Sequence, residues 1–574
     1  MIEWVEDGRQ GLSSRPVFGG GVAVREVGDD RGRLAVAGDC GAEQTQLRAA
    51  LDAVAAGRWA ELTGWSGSYW VVAEQVGGSR FACGDLAGVR ALWHARDRVA
   101  GVVWASDPAR LAARTGASVD LELLAARLAV GGQHWPARSP WAGVQRVPGG
   151  WGLVLDRNGV RLVDVRDVEP EEDLAAGAAR LGEALRVAVQ RRVRMAGGLV
   201  GADLSGGLDS SAAVLLAAEV GPVHAVTYTD ALTSAEDAHY AVRVAAHTGV
   251  RHKIAEGGTG ELPFGLDGAP VTGEPAAAVV NLGMDRCYLE PVAGLPVHLT
   301  GHGGDVVLDS SAACWVGQIQ RRMSGEARRG AHDFARLRNV APGPYWRALK
   351  QAAASTPSRA ATEAARQLRA GGLPPTSPGW AWCRPRRGAG WLTAPGRHAV
   401  ARLLDGAWGE PVHDGFADDV DQWAALWAVG DDARAAPLYD AIGVRPVHPF
   451  LDNEVVRAAF AIPAYRRRGT YTYKPVLAAA VELPDWLIGR RSKGSFTAQR
   501  IQGLACHRRA LEELVADSAL AASGLVDAGS VCSALAEAVA GRTADAIADL
   551  HHLVVMCQWL RGSVSASVPL AETC

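Results

Sequence analysis

Lysine is almost missing from this chain. Only Lys253, Lys350, Lys474 and Lys493 occur among 59 lysines and arginines. Arginine cannot serve as a compact, tunable ammonium, so each lysine is a candidate for work that arginine does not do. Also missing is any apolar run near the roughly 18 residues that a membrane helix needs. The opening Met1-Ile-Glu-Trp-Val-Glu-Asp7 has neither the basic stretch nor the apolar core of an export signal, so a cytoplasmic protein away from membranes is expected. The nine cysteines are scattered without a Cys-x-x-Cys pair or zinc-like spacing, which points to free thiols. A net charge of −3 argues against general nucleic-acid binding. Neither the Gly-Lys-Ser/Thr ending of the common phosphate loop nor a GxGxxG fingerprint is present.

What is present is one organising stretch, Leu199-Val-Gly-Ala-Asp-Leu-Ser-Gly-Gly-Leu-Asp-Ser-Ser-Ala-Ala-Val-Leu-Leu216. An apolar run ends in a small-residue loop, and a helical run follows at once. Such a loop aims backbone N–H groups and the positive end of a helix at one spot, which suits an anion. Gly206 and Gly207 permit close approach, Ser205, Ser210 and Ser211 add hydroxyls, and Asp209 sets a carboxylate where Mg2+ can bridge it to phosphate. The stretch resembles the SGGxDS loop of ATP pyrophosphatases, which bind ATP and expel pyrophosphate while making an adenylate.

At 574 residues the chain exceeds a single core. Residues 1 to about 165 alternate short apolar runs with Gly- and Asp-rich turns, with helical stretches near Glu43–Ala56 and Leu121–Val130, the pattern of an α+β sandwich. A helix starting after Glu169-Pro-Glu-Glu-Asp, with Leu174, Leu181, Leu185 and Val189 at helical spacing, leads into a second domain. From Leu199 strands and helices alternate, which predicts a doubly wound parallel sheet with ligands at the carboxyl ends of its strands. The strands fall at Leu199–Leu204, Val223–Thr229, Arg251–Ile254 and Pro296–Thr300. The last delivers a second loop, Thr300-Gly-His-Gly-Gly-Asp305, to the same end. Asp209 and Asp305 then converge as the two carboxylates of a Mg2+ site, and His302 is a candidate base for an attacking amine.

Residues 315 to about 405 read as an irregular insertion. Between Arg321 and Arg402 sixteen basic residues face three acids, with Trp346, Trp380, Trp382 and Trp391 interleaved. This predicts either a solvated helical insertion or a basic, aromatic surface for an acidic or peptidic partner. The tail from about Ala505 reads as amphipathic helix with frayed ends.

Several segments carry a further resemblance: Leu62-Thr-Gly-Trp-Ser-Gly-Ser-Tyr-Trp, Phe81-Ala-Cys-Gly-Asp-Leu, Val147-Pro-Gly-Gly-Trp-Gly, the Thr300–Asp305 loop and Val447-His-Pro-Phe-Leu-Asp. Together with Arg490-Arg-Ser-Lys-Gly-Ser-Phe496 they resemble class II asparagine synthetases. The resemblance implies an Ntn-hydrolase-like glutaminase sandwich at 1–168 and an ATP-pyrophosphatase (PP-loop) synthetase domain with helical insertions at 169–574. It also implies that Val226 and Gly301 help bind ATP, and that Lys493 closes over the α-phosphate. In that family the glutaminase nucleophile is a Cys directly after the initiator Met. Here position 2 is Ile2 and the first cysteine is Cys40, so a scaffold or binding role is expected of the first domain. Lys474 is left as structural or secondary.

Within the family the chain most resembles lasso peptide macrolactam synthetases. That implies ATP- and Mg2+-dependent adenylation of an Asp or Glu side chain in a precursor core peptide, then attack by the peptide's N-terminal amine to close an isopeptide ring. A leader peptidase and a leader-binding protein follow as partners, with no nucleic acid and no membrane. A β-lactam-synthetase-like ring closure on a small amino acid derivative, and an ammonia-dependent asparagine synthetase, are the alternatives.

Overall fold

The computed structural model describes residues 2–5, 17–18, 22–99, 101–171, 173–371, 379–406, 414–490 and 494–566, with backbone alone at 2–5, 17–18 and 564–566. The N-terminal part is two antiparallel sheets. One has five strands, in the order Val17–Phe18, Ile2–Val5, Gly101–Ala105, Leu92–Asp97 and Val144–Val147. The other has six: Gly159–Asp164, Trp151–Asp156, Arg80–Cys83, Gly67–Gln75, Gly32–Cys40 and Val24–Asp29. The helical stretches expected at 43–56 and 121–130 are present, and a third helix, Pro108–Thr115, was not visible in the apolar pattern.

Helix α1 (Leu174–Ala196) carries the chain into the second part. Its start is set by Asp173, whose side chain accepts from the Ala175 N–H, and its end by Gly197 in the left-handed region. Leu181, Leu185 and Val189 are fully buried on one face, each contributing about 1.5–3 kcal/mol. They join Trp70, Leu153 and Trp427 in a core that continues from the first part into the second.

There follow β1 (Val200–Asp203), α2 (Leu208–Ala218), β2 (Val223–Thr229), α3 (Ala235–Thr248), β3 (Arg251–Glu256), α4 (Leu282–Leu289) and β4 (His298–Leu299). The short α5 (Gly304–Val307) leads to a helical run: α6 (Ala313–Gln320), α7 (Ser324–Leu337), α8 (Pro342–Ala353), α9 (Pro357–Ala370), α10 (Ala394–Asp405) and α11 (Ala417–Ala433). Then come β5 (Pro446–Val447), α12 (Asn453–Ala461), α13 (Pro475–Ala480) and, last, α14 (Ile547–Ala566). The sheet order is β3-β2-β1-β4-β5, all parallel. The register pairs Asp203 with Val226 and Ala202 with Leu299. Strands β1 and β4 are therefore neighbours, and the loops that follow them emerge side by side.

Of the two readings of the insertion, the helical one matches the structure, a stack of helices. Two expectations are corrected: the aromatic surface, and the amphipathic close of the chain. Trp382 and Trp391 are buried, and Trp346 and Trp380 pack partly buried against the same core as Trp315 and Tyr345, so tryptophan belongs to the interior there rather than to a surface. The closing helix α14 is not amphipathic in its setting. Leu550, Leu553, Val554, Met556 and Trp559 all lie in a core that also contains residues from the first part. Residues 372–378, in the Pro/Gly-rich part of the insertion, lie outside the described residues.

Candidate active site

The loop between β1 and α2 is held in shape from inside. The Ser205 N–H donates to Ser210 Oγ at 3.1 Å, the two hydroxyls lie 3.0 Å apart, and Ser211 N–H closes the first turn on Gly207 O. Gly206 has φ +74°, and a Cβ there would lie 2.3 Å from the Asp237 carbonyl, so only glycine fits. The buried Arg490 guanidinium pins the outside, donating to Gly206 O at 2.6 Å and pairing with Asp237. The Ser211 hydroxyl is fully buried and has no hydrogen-bond partner among the described residues.

The second loop lies directly on the first. A Cβ at Gly304 would come 2.4 Å from the carboxylate carbon of Asp209, and one at Gly301 would come 2.7 Å from the Ser210 nitrogen. Glycine at both positions lets the loops touch, and the touching brings Asp209 and Asp305 together as expected. Val226 lies on the neighbouring strand in register with Asp203, its carbonyl accepting from the Leu204 N–H at 2.9 Å. It is therefore one strand away from the loop rather than within it. Lys493 lies outside the described residues.

Between the two carboxylates stands Lys474. Its Nζ is paired with Asp209 and lies 2.8 Å from Asp305 Oδ1, and the Tyr473 hydroxyl donates to the same Asp305 oxygen at 3.0 Å. The lysine side chain is 1% exposed while that of Asp305 is 58% exposed, so a buried cation meets a carboxylate that opens to solvent. Burial alone would lower the Lys474 pKa, but the charges of Asp209 and Asp305 outweigh it and raise it. Lys474 sits at φ +49° just before Pro475, the first residue of α13. The structure thus places Lys474, expected to be structural or secondary, between the two carboxylates of the site. The sequence offered one signal: two of four lysines fall within twenty residues of each other.

His302 sits beside this cluster. Its Nε2 is 3.0 Å from the Val429 carbonyl of α11, and its ring is 5.4 Å from that of His448. Thr300 Oγ1 joins the two, bonding His448 Nδ1 at 2.8 Å and accepting from the His302 N–H at 3.2 Å. Asp432, three residues beyond Val429 on α11, lies near enough for the His302 charge to act on its carboxyl. Burial pushes it up and the histidine pulls it back, leaving it at about 6. No spacing in the sequence links residues 302 and 432. They meet because α11 returns over the ends of the strands. Behind them the Asp203 carboxylate, at the end of β1, is 2.8 Å from His298 Nε2, and burial pushes Asp285 up to about 7, with the Asp203 charge adding to it.

Cys40, the first cysteine, ends a central strand of the six-stranded sheet opposite Gly67 and is buried, which raises its thiol pKa. That environment does not make a nucleophile.

The donor set fits a magnesium nucleotide. Two carboxylates from two loops, a glycine turn whose amides open a helix, and an orphaned buried hydroxyl suit phosphate oxygens and a cation that keeps few protein ligands. Among the described residues no group of three or more His, Cys, Asp or Glu is placed to hold a metal. No helix there is long and apolar enough to cross a membrane.

The family model for asparagine synthase matches residues 180–561, a span that contains both loops, Lys474, His302 and Asp432. Among solved structures the chain is similar to a glutamine phosphoribosylpyrophosphate amidotransferase from B. subtilis complexed with ADP and GMP. The identity is 12%, over 53% of this chain and 61% of that one, with a TM-score of 0.17. It is also similar to a structure of the allosteric regulatory enzyme of purine biosynthesis, at 13% identity over 52% of this chain and 58% of that one, with a TM-score of 0.15. The chain thus spans about three fifths of the length of these structures. No curated protein matches it.

Proposed function

The chain belongs to the asparagine synthase family, whose members are ATP-dependent amide ligases, and we propose that this one closes a macrolactam in a peptide of the lasso type. The observation that carries the reading is the meeting of Asp209, Asp305 and Lys474 at the carboxyl ends of β1 and β4. That cluster handles nucleotide phosphates and their cation, and the His302–Asp432 pair lies next to it.

In the proposed reaction an oxygen of a peptide Asp or Glu side chain attacks the α-phosphorus of ATP. The bond to the β-phosphate breaks and pyrophosphate leaves. The peptide's N-terminal amine then attacks the acyl carbon, AMP departs with the bonding pair of its oxygen, and the amide remains. The Ser205–Ser211 loop would hold the phosphates. Mg2+ held by Asp209 and Asp305 would neutralise charge on the departing pyrophosphate. Lys474 neutralises the two carboxylates and competes with that cation for them. Since His302 Nε2 donates to the Val429 carbonyl, its Nδ1 carries the lone pair and takes the amine proton, and ionised Asp432 stabilises the imidazolium. Lys493 is proposed as a further positive charge at the α-phosphate.

Support for a peptide amine rather than glutamine-derived ammonia comes from the first domain. It is read as Ntn-like, yet Cys40 is buried and burial raises its thiol pKa, an environment that does not make a nucleophile. Under this reading the core peptide arrives after a peptidase has removed its leader, with a leader-binding protein as the third component. The test is incubation of the purified chain with ATP, Mg2+ and a synthetic core peptide that has a free N-terminus and an acidic side chain several residues downstream. Loss of one water from the peptide, matched mole for mole by AMP and pyrophosphate, is expected. Pyrophosphate release with a small amino acid derivative and none with peptides would move the assignment to a β-lactam-type enzyme.

A further inference from the structure

Helices α7, α8 and α9 and the turn before them carry a concentration of positive charge that the site chemistry does not use. From residue 321 to 371 there are eleven arginines and lysines against three acids, in a chain whose net charge is −3. The buried faces of α7 and α8 are uncharged: Ala327, Ala331 and Ala335 on one, Tyr345, Leu349 and Ala352 on the other. Arg322, Arg328, Arg329, Arg347, Lys350 and Arg359 are all exposed, and none has an ion-pair partner among the described residues. Elsewhere on the surface arginine is commonly paired, as Arg508 is with Glu512 and Arg509 with Glu513.

The acids that approach this unit are spent on its underside. Asp418 and Asp419 of α11 hold Arg321 at 2.7 and 2.9 Å, and Asp421 accepts from Ser311 Oγ and the Trp380 indole N–H. Of the three acids within the segment, Glu363 is paired with Arg366, Glu326 is exposed among the arginines in the first turn of α7, and Asp333 lies 3.9 Å from Arg336 and accepts from the Tyr471 hydroxyl. That last bond ties α7 to the strand of chain that ends in Tyr473 and Lys474. Tyr471 itself is 69% exposed, so an aromatic side chain stands at the edge of the charged face.

We propose that the outer face of α7 and α8 is a docking surface for an acidic, flexible polypeptide segment. Unpaired like charges on one face repel one another, and an anionic partner relieves that repulsion. Arginine with exposed tyrosine is the composition that protein contacts favour. A nucleic acid fits less well. The tryptophans that base stacking would need are packed inside this unit, and the rest of the chain is acidic enough to repel a long polyanion. The surface stands whether or not the ligase reading holds, because binding needs no ATP chemistry.

The experiment is fluorescence anisotropy on the full chain with a fluorescein-labelled oligoglutamate peptide at low and high salt. The triple variant Arg328→Glu, Arg329→Glu, Arg347→Glu is compared with a control carrying Arg508→Glu and Arg509→Glu. All five side chains are exposed, and unchanged melting temperatures confirm folding. The expected result is salt-sensitive binding that the triple variant weakens by about tenfold or more while the control keeps it. Asp209→Asn, which would stop nucleotide chemistry, should leave this binding intact. No binding to the wild-type chain, an equal loss in both reversals, or tighter binding of oligodeoxythymidylate than of oligoglutamate would each overturn the proposal.

Discussion

Two of the buried charge clusters in this molecule are built differently. At the junction of the two parts, Arg192 bridges Asp39 at 2.7 Å and Asp452 at 3.0 Å, and Arg191 adds to both. Asp452 is fully buried and also caps α12 by accepting from the Glu454 N–H. Both carboxylates there are paired with arginine, and the more accessible of them, Asp39, is only 20% exposed. At the ends of β1 and β4, one lysine instead serves two carboxylates, one of which is more than half exposed. The first arrangement has nothing to exchange. The second, under the proposed function, holds a cation for Mg2+ to displace, beside a loop shaped for an anion. Closed ion networks hold domains together, whereas open ones with a shared counter-ion are where ligands enter.

The contrast can be broken from either side. Removing the enclosed cation should have the largest energetic effect. Arg192→Ala leaves Asp452 buried without its guanidinium and should lower stability by about 3–5 kcal/mol, read as a shift in the denaturant midpoint, with turnover per folded molecule unchanged. Asp209→Asn should instead cut ATP-dependent pyrophosphate release by roughly 10²–10³, with a smaller loss of midpoint because Asp305 still faces the buried Lys474 ammonium.

Lys474→Met sharpens the comparison further. Turnover should fall by about tenfold or more, yet the apparent affinity for Mg2+ should rise, because the resident competitor is gone. Magnesium should then raise the melting temperature of this variant more than that of the wild-type chain. The pH dependence has a definite sign. A lysine whose pKa is raised on folding gives its full stabilisation below the ordinary lysine range, and loses it only as pH climbs through the raised folded value. Nothing from Lys474 should appear near neutrality. The smallest effect belongs to Asp432. With its pKa at about 6, ring closure should rise with pH through that value, and Asp432→Asn should flatten that limb of the pH–rate profile.

How much of this was legible beforehand follows from the distances involved. Ser205 to Ser211 and Thr300 to Asp305 are loops at strand ends, and glycine, serine and aspartate in that order state their backbone chemistry locally. Parallel pairing of β1 with β4 was enough to bring Asp209 and Asp305 together. Lys474 and Asp432 were not legible in the same way. Each reaches the site from a helix end more than a hundred residues away from the loop residue it serves. In the insertion, helical as expected, it was the placement of the tryptophans that misled, for a related reason. Its alanine-rich buried faces and arginine-rich outer faces average to a composition without obvious order, until packing separates the two. Tryptophan, read as surface recognition, was needed to fill the space between small residues.

The central claim is that Asp209 and Asp305 share a cation with nucleotide phosphates. It is tested most directly by an anomalous difference map from a crystal grown with Mn2+ and a non-hydrolysable ATP analogue. The account predicts a manganese peak coordinated by both carboxylates, with the analogue's phosphates along Ser205–Ser211. A peak elsewhere, with Lys474 still bridging the two aspartates, would contradict it.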